Sequence, residues 1–214
     1  MEDIILLGLG GHAKSVIDCI ERQEKYRIIG FLDKEERDKV CYKGYKVIGN
    51  DDDLDCFYRQ GVMNAFVTVG FLGQSKVRNR LYDRLKHIGF SLPNIIDPSA
   101  VLAGDAVLGE GNFVGKLAMI NADARIGNMC IINSSAMIEH ECRVGDFSHV
   151  SVGTVLCGGV TVGQETFVGA GSTLIQGISV GDGCIVAAGT TLRKSVKNHE
   201  MVYEMCTRRT RNLA

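Results

Sequence analysis

Residues 101–196 read VLAGDA-VLGEGN-FVGKLA-MINADA-RIGNMC-IINSSA-MIEHEC-RVGDFS-HVSVGT-VLCGGV-TVGQET-FVGAGS-TLIQGI-SVGDGC-IVAAGT-TLRKSV, sixteen hexads without an insertion. The second position of every hexad is Leu, Ile or Val, and the preceding hexad, IIDPSA at 95–100, fits the same frame. The third position is Gly seven times, at Gly109, Gly115, Gly127, Gly145, Gly163, Gly169 and Gly181, and Asn at Asn121 and Asn133. Gly and Asn enter positive φ at little cost, so the third position reads as the turn. A period of six is neither the 3.6 of a helix nor simple strand alternation. It describes short strands joined by tight bends, three bends to a coil, with the aliphatic residues inside. Coils stacked about 4.8 Å apart build a parallel β-helix some 25–30 Å tall. Residues eighteen apart then stack. Cys130, Cys142 and Cys184 share the sixth position with Ala106, Ala118 and Ala136, and read as small packing residues.

Composition narrows the rest. The chain has 214 residues and a formal net charge of −1, which argues against a nucleic-acid binder working through bulk positive charge. No apolar run reaches the roughly 18 residues of a membrane helix, and the first strand-like stretch, IILLG, is short for a signal peptide. The eight cysteines show neither a CxxC pair nor zinc-ligand spacing, so a cytoplasmic chain with reduced thiols and no metal is expected. Only two prolines accompany 26 glycines, which places the glycines in ordered turns.

Residues 1–92 follow another pattern. DIILLGLGGHAKSVIDCI is a strand, a glycine turn and a helix, with Gly8, Gly10 and Ala13 in GxGxxA spacing. Such glycines let a phosphate approach a helix N-terminus. YRIIGFLD ends in Asp33, NAFVTVG ends at Gly70, and a basic helix follows in SKVRNRLYDRLKHIGF. Strands ending in Gly or Asp place a crevice at their carboxyl ends. Nucleotide or sugar-nucleotide binding is the expectation, against the plainer reading of a small α/β packing domain with a solvated basic helix. Asp51, Asp52 and Asp53 read as a helix cap. Pro93 and Pro98 fall between the two patterns, so the expected division is 1–92 and 93–214.

Of five histidines, His87 and His199 read as surface residues. His12, in the glycine turn, either contacts a ligand or tolerates the turn. His140, flanked by acids in IEHEC, stacks between Ala122 and Gly158, so its ring has open space, and a neighbouring carboxylate can raise its basicity. That is the layout of a general base, though spacing alone leaves an idle surface histidine equally open. His149 stacks between Ile131 and Phe167, where ligand contact and burial are both open. Ala170 and Ala188 stack among Gly169, Gly171 and Gly189, a column of small residues along which a long thin ligand can lie.

GLGGHAKSVID, IGFLD, IDPSAVL and SSAMIEHECRVGDFSHVSVG together resemble the PglD/NeuD-type bacterial hexapeptide-repeat sugar acetyltransferases, over nearly the whole chain. The resemblance implies a Rossmann-like α/β domain that holds a nucleotide sugar, a left-handed parallel β-helix and a homotrimer. It is nearest to acetyl-CoA-dependent enzymes acting on the C4 amine of UDP-linked amino sugars. By position it implies His140 as general base and Glu141 as the residue raising its basicity. His149, Ala170 and Ala188 fall where the family contacts acetyl-CoA. Gly10, Gly11, His12, Asp33, Lys34 and Gly70 fall where it holds the nucleotide sugar, with Lys34 standing where close relatives carry an acid. The family often ends in a GxPA segment near the cofactor. Here the end reads VYEMCTRRTRNLA, which offers Arg208, Arg209 and Arg211 for phosphate contacts instead.

The rival nearest to this reading is O-acetylation of a sialic-acid-like sugar by the same machinery. A zinc-dependent carbonic anhydrase on the same β-helix needs three converging histidines, and the repeats offer only His140 and His149. A non-catalytic scaffold predicts no acetyl-CoA binding.

Overall fold

The structure, a computed structural model, describes residues 1–34, 39, 42–73 and 76–203. Arg208, Arg209 and Arg211 lie outside the described residues. In the N-terminal half β1 (Glu2–Leu7), β2 (Tyr26–Leu32), β3 (Val47–Gly49) and β4 (Asn64–Val67) form one parallel sheet in the order β3-β2-β1-β4. Alternation along β1 decides what each face covers. Ile4 and Leu6 pack with α1 (Gly11–Gln23), which buries Ala13, Val16, Ile17 and Ile20 at helical spacing. Ile5 and Leu7 pack on the opposite side with α2 (Leu54–Arg59) and α3 (Lys76–Ile88), through Leu54, Leu81 and Leu85. Asp51–Asp53 cap the approach to α2: Asn50 accepts from the Asp52 N–H and Asp53 returns a bond to the Asn50 N–H.

From Ile95 the chain winds through two-residue strands in three parallel sheets of seven, six and five strands. Register advances eighteen residues per coil, as in Ile131↔His149↔Phe167. Second-position residues from Val114 to Leu192 form one buried column with the sixth-position alanines and cysteines. Burial pushes the Cys130 thiol up to about 12, as befits a packing residue.

One expectation is corrected. The left-handed backbone falls at the fifth hexad position, where Leu117, Met129, Phe147 and Glu141 adopt it alongside Gly111 and Gly171. The third-position glycines answer a different need. A Cβ on Gly169 would stand 2.5 Å from the Ala188 nitrogen of the next coil. They are places where one coil lies against the next, with no side chain between.

The three faces have different fates. The face of Ile95, Phe113, Ile131, His149 and Phe167 is docked against α1 and the loop after β4. Arg22 Nη1 of α1 donates to both carboxylate oxygens of buried Asp97, at 2.7 and 2.8 Å, and Lys116 reaches Asp18 at 2.5 Å. A second face turns Val101, Met119, Met137 and Val155 outward, all incompletely buried. The third carries Arg125, Arg143, Thr161 and Ser179.

Candidate functional site

The turn between β1 and α1 leaves a helix N-terminus open. Gly10 caps α1 without any side-chain bond, and the first turn holds no acid. A Cβ on Gly10 or Gly11 would meet nothing within 4 Å. Unpaired amides facing open space suit an anion. The residues read as sugar-nucleotide contacts ring the carboxyl end of the sheet in three depressions. Gly10 lines one of about 350 Å³ with Lys14, Phe31 and Tyr42. Asp33 and Lys34 line one of about 680 Å³ with Arg80 and Arg84. Gly11, His12 and Gly70 line a cleft of about 690 Å³ whose other wall is the β-helix. The Asp33 carboxylate accepts the Leu9 N–H at 2.9 Å and so steadies the turn between the first two.

The cleft joins both halves of the chain. Ile131, Asn133, Ser134, His149 and Val152 face Gly11, His12, Ser15 and Phe71 across it. His149 is 7% exposed and both its ring nitrogens are engaged. Nδ1 is 2.7 Å from the Phe71 carbonyl, which can only accept, so Nδ1 carries the proton. Nε2 accepts from Asn133 Nδ2 at 3.2 Å. Burial pushes His149 down to about 4, opposed by the Phe71 bond and assisted by nearby Arg78. His12 is pushed down to about 3 by burial, with Arg78 and His149 adding to it, and its Nε2 has no hydrogen-bond partner. Both imidazoles are therefore neutral at pH 7. Ser15, Phe71, Ser134 and Val152 were not singled out by sequence, and Asn133 was read only as a turn residue. Spacing could have found two of them, since Ser134, Val152, Ala170 and Ala188 are successive steps of eighteen.

His140 stands elsewhere. It occupies the edge between the second and third faces, with about half its side chain exposed. Its Nδ1 is 3.1 Å from Glu141 Oε2. The carboxylate accepts, so the proton sits on Nδ1 and the Nε2 lone pair is left free. That nitrogen lies over Gly158, in the space a Cβ would fill. Ala170 and Ala188 lie on a different edge, between the docked and second faces, exposed and in line with Ser134 and Val152 of the cleft. One chain therefore joins the small-residue column to the cleft but does not bring His140 to either. Among the described residues, no three His, Cys, Asp or Glu side chains converge as metal ligands, and no helix is long and apolar enough to cross a membrane.

Comparison with known proteins meets this geometry. Residues 3–85 match the PglD N-terminal domain and residues 159–194 the hexapeptide repeat of succinyl-transferase. The chain is 33% identical to PerB from Caulobacter crescentus, solved with CoA and GDP-perosamine, over 94% of this chain and 93% of that one, with a TM-score of 0.87. The chain belongs to the PglD-type sugar acetyltransferases. With that family it shares the left-handed hexapeptide-repeat β-helix. The acetyltransferase domain of PglB from Neisseria gonorrhoeae, solved with acetyl coenzyme A, is 27% identical over 94% of this chain and 95% of that domain, at a TM-score of 0.86. A histidine-to-asparagine mutant of the Caulobacter perosamine N-acetyltransferase, again with CoA and GDP-perosamine, superposes at a TM-score of 0.88. No curated protein sequence matches the chain significantly.

Proposed function

We propose that this acetyltransferase moves the acetyl group of acetyl-CoA to the C4 amine of a UDP-linked amino sugar, with His140 as general base. The observation that carries the reading is the His140–Glu141 pair: an exposed imidazole, its Nδ1–H on a carboxylate, its free Nε2 over a residue without a side chain. An alkylamine is mostly protonated near neutral pH and attacks only as the free base. Nε2 takes a proton from the amine as nitrogen attacks the thioester carbonyl, and Glu141 stabilises the imidazolium. The tetrahedral intermediate expels CoA thiolate, which recovers the proton from His140. No covalent acyl-enzyme is needed.

Residues 1–92 are assigned the nucleotide sugar, through Gly10, Gly11, His12, Asp33, Lys34 and Gly70. Residues 93–214 are assigned acetyl-CoA, through the column of Ala170 and Ala188, with His149 as a buried wall of the cleft. Two of these depend on a homotrimer. The second face, with Val101, Met119, Met137 and Val155 outward, suits packing against a second copy, and its two edges carry His140 and the alanine column. Three copies around an axis let His140 of one work opposite Ala170 and Ala188 of the next. Acetyl-CoA as donor assigns the reaction to the cytoplasm.

The test is incubation with acetyl-CoA and UDP- or GDP-linked 4-amino sugars, following thiol release. GDP sugars belong in the panel because the solved PerB holds GDP-perosamine. A hydroxylamine-resistant product from a UDP sugar is expected. A hydroxylamine-labile ester would transfer the reading to O-acetylation, and no thiol release with any amino sugar would overturn it.

A further inference from the structure

The cations of α3 are placed unequally. Arg80 and Arg84 reach Asp51 and Asp52 at the surface, and Lys86 reaches Glu110. Arg78 is 1% exposed. Its Nη1 donates to the Val69 carbonyl at 2.7 Å, its Nη2 donates to the Met129 carbonyl, and its Nε has no partner. Burying a cation on carbonyls alone is costly, and burial pushes this guanidinium down to about 10. An apolar side chain would fill the space more cheaply, so the geometry of the fork is what the site uses. A planar guanidinium can serve two diverging carbonyls at once, which an ammonium does poorly.

What those carbonyls hold is informative. Val69 precedes Gly70, Phe71 and Leu72, which line the cleft, and Met129 precedes the strand that opens with Ile131 of its far wall. The Phe71 carbonyl receives His149 Nδ1–H, and His149 Nε2 receives Asn133 Nδ2. Asn133 Oδ1 accepts the Ser134 N–H at 2.8 Å. The amide keeps one N–H, and Asn133 lines the cleft. A histidine protonated on both nitrogens would meet the Asn133 amide donor to donor and turn it over.

We propose that Arg78 is a positioning residue: by pinning the Val69 and Met129 carbonyls it sets the Phe71 carbonyl that locks His149 as the Nδ1–H tautomer, and so fixes the Asn133 amide with an N–H for an acceptor oxygen of the bound ligand. That the cleft binds substrate or cofactor rests on the function proposed above; the lock itself does not. Arg78 from α3 and His12 from α1 are the ionisable groups acting on His149, and the charge of Arg78 favours the neutral ring.

The lock is read by ¹⁵N NMR of the histidine rings in the unliganded full-length protein, with His149 assigned by His149→Gln. In the native protein Nδ1 should be protonated and Nε2 bare, with no titration between about pH 6 and 8. Arg78→Gln should give mixed tautomers and a midpoint only slightly above the native one, since it removes a neighbouring cation while burial, the larger cause, remains. Arg78→Lys should keep the low midpoint but lose the single tautomer. In the acetylation assay Arg78→Gln should raise the KM of the cleft ligand about tenfold, the scale of one misaligned hydrogen bond, with a smaller change in kcat. A native His149 protonated on Nε2, or titrating in that window, overturns the proposal whether or not the variants fold. Native ring shifts in a folded Arg78→Gln protein overturn it equally. Because the spectra need neither acetyl-CoA nor sugar, they decide the lock even if the transfer assay fails.

Discussion

The two halves of the chain bury apolar surface by different arithmetic. In the β-helix, strand neighbours are eighteen residues apart, and the interior column from Val114 to Leu192 is a repeat of one solution. In the α/β half, β1 finds its partners at unrelated separations, Leu7 pairing with both Leu32 and Val67. The consequence falls on the site. The repeat sets its proposed chemistry on outer edges, where His140 is half exposed and contributes no core contact. The α/β half draws site residues inward, where half-buried His12 packs its ring on Phe113 at 4.9 Å and Arg78 bridges to the coils. Function and stability should therefore separate along the β-helix and be entangled at the cleft.

The sharpest way to break that contrast is at the edge. His140→Ala should lower turnover roughly 10²–10⁴-fold, the range for losing a general base, while the melting temperature stays near the native value. Turnover within threefold of native would remove His140 from the mechanism. Gly158→Ala, one coil along, should also unfold nothing, since Gly158 lacks positive φ, yet its methyl group would displace the His140 ring. A loss approaching 10²-fold is expected from such a misplacement.

Two residues back, inside the coil, the prediction reverses. Ile138 is fully buried two positions before His140. Ile138→Ala should cost about 2–5 kcal/mol. Calorimetry should show the midpoint lowered by roughly 5–15 °C, with the surviving folded enzyme still active.

The smallest effect belongs to the cleft. Unfolded histidines take up a proton near 6.5, whereas folded His149 resists until about 4 and His12 until about 3. Protons bound only by the unfolded chain weaken the fold as pH falls below 6.5, and above that value the contribution is constant. At pH 5 each histidine should have removed about 2 kcal/mol, and His149→Gln should roughly halve the slope of melting temperature against pH between 6.5 and 5. An unchanged slope would mean that His149 is charged in the folded protein.

The same arithmetic explains what could be read beforehand. An eighteen-residue stack gives the interior column, the neighbours of His140 and the continuity of Ser134 with Ala188 by counting alone. Positive φ escaped counting because Leu117, Met129 and Phe147 occupy it without a glycine to mark the place. His149 could not be oriented from its own coil, since its partner carbonyl on Phe71 is 78 residues away. Arg78 sits in a run of cations that reads as a solvated face, and only the docking of α3 against the coils shows which of them is enclosed.

A helix of coils also restricts how this chain can change length. Inserting eighteen residues adds one whole storey and leaves every edge in line above it. Inserting six preserves the hydrophobic pattern perfectly, yet rotates everything downstream by a third of a turn. Ala170 and Ala188 would then leave the edge they share with Ser134 and Val152, in a protein that still folds. Growth by hexads is silent to the core but scrambles the site, so the coil acts as a reading frame in which only whole turns are synonymous.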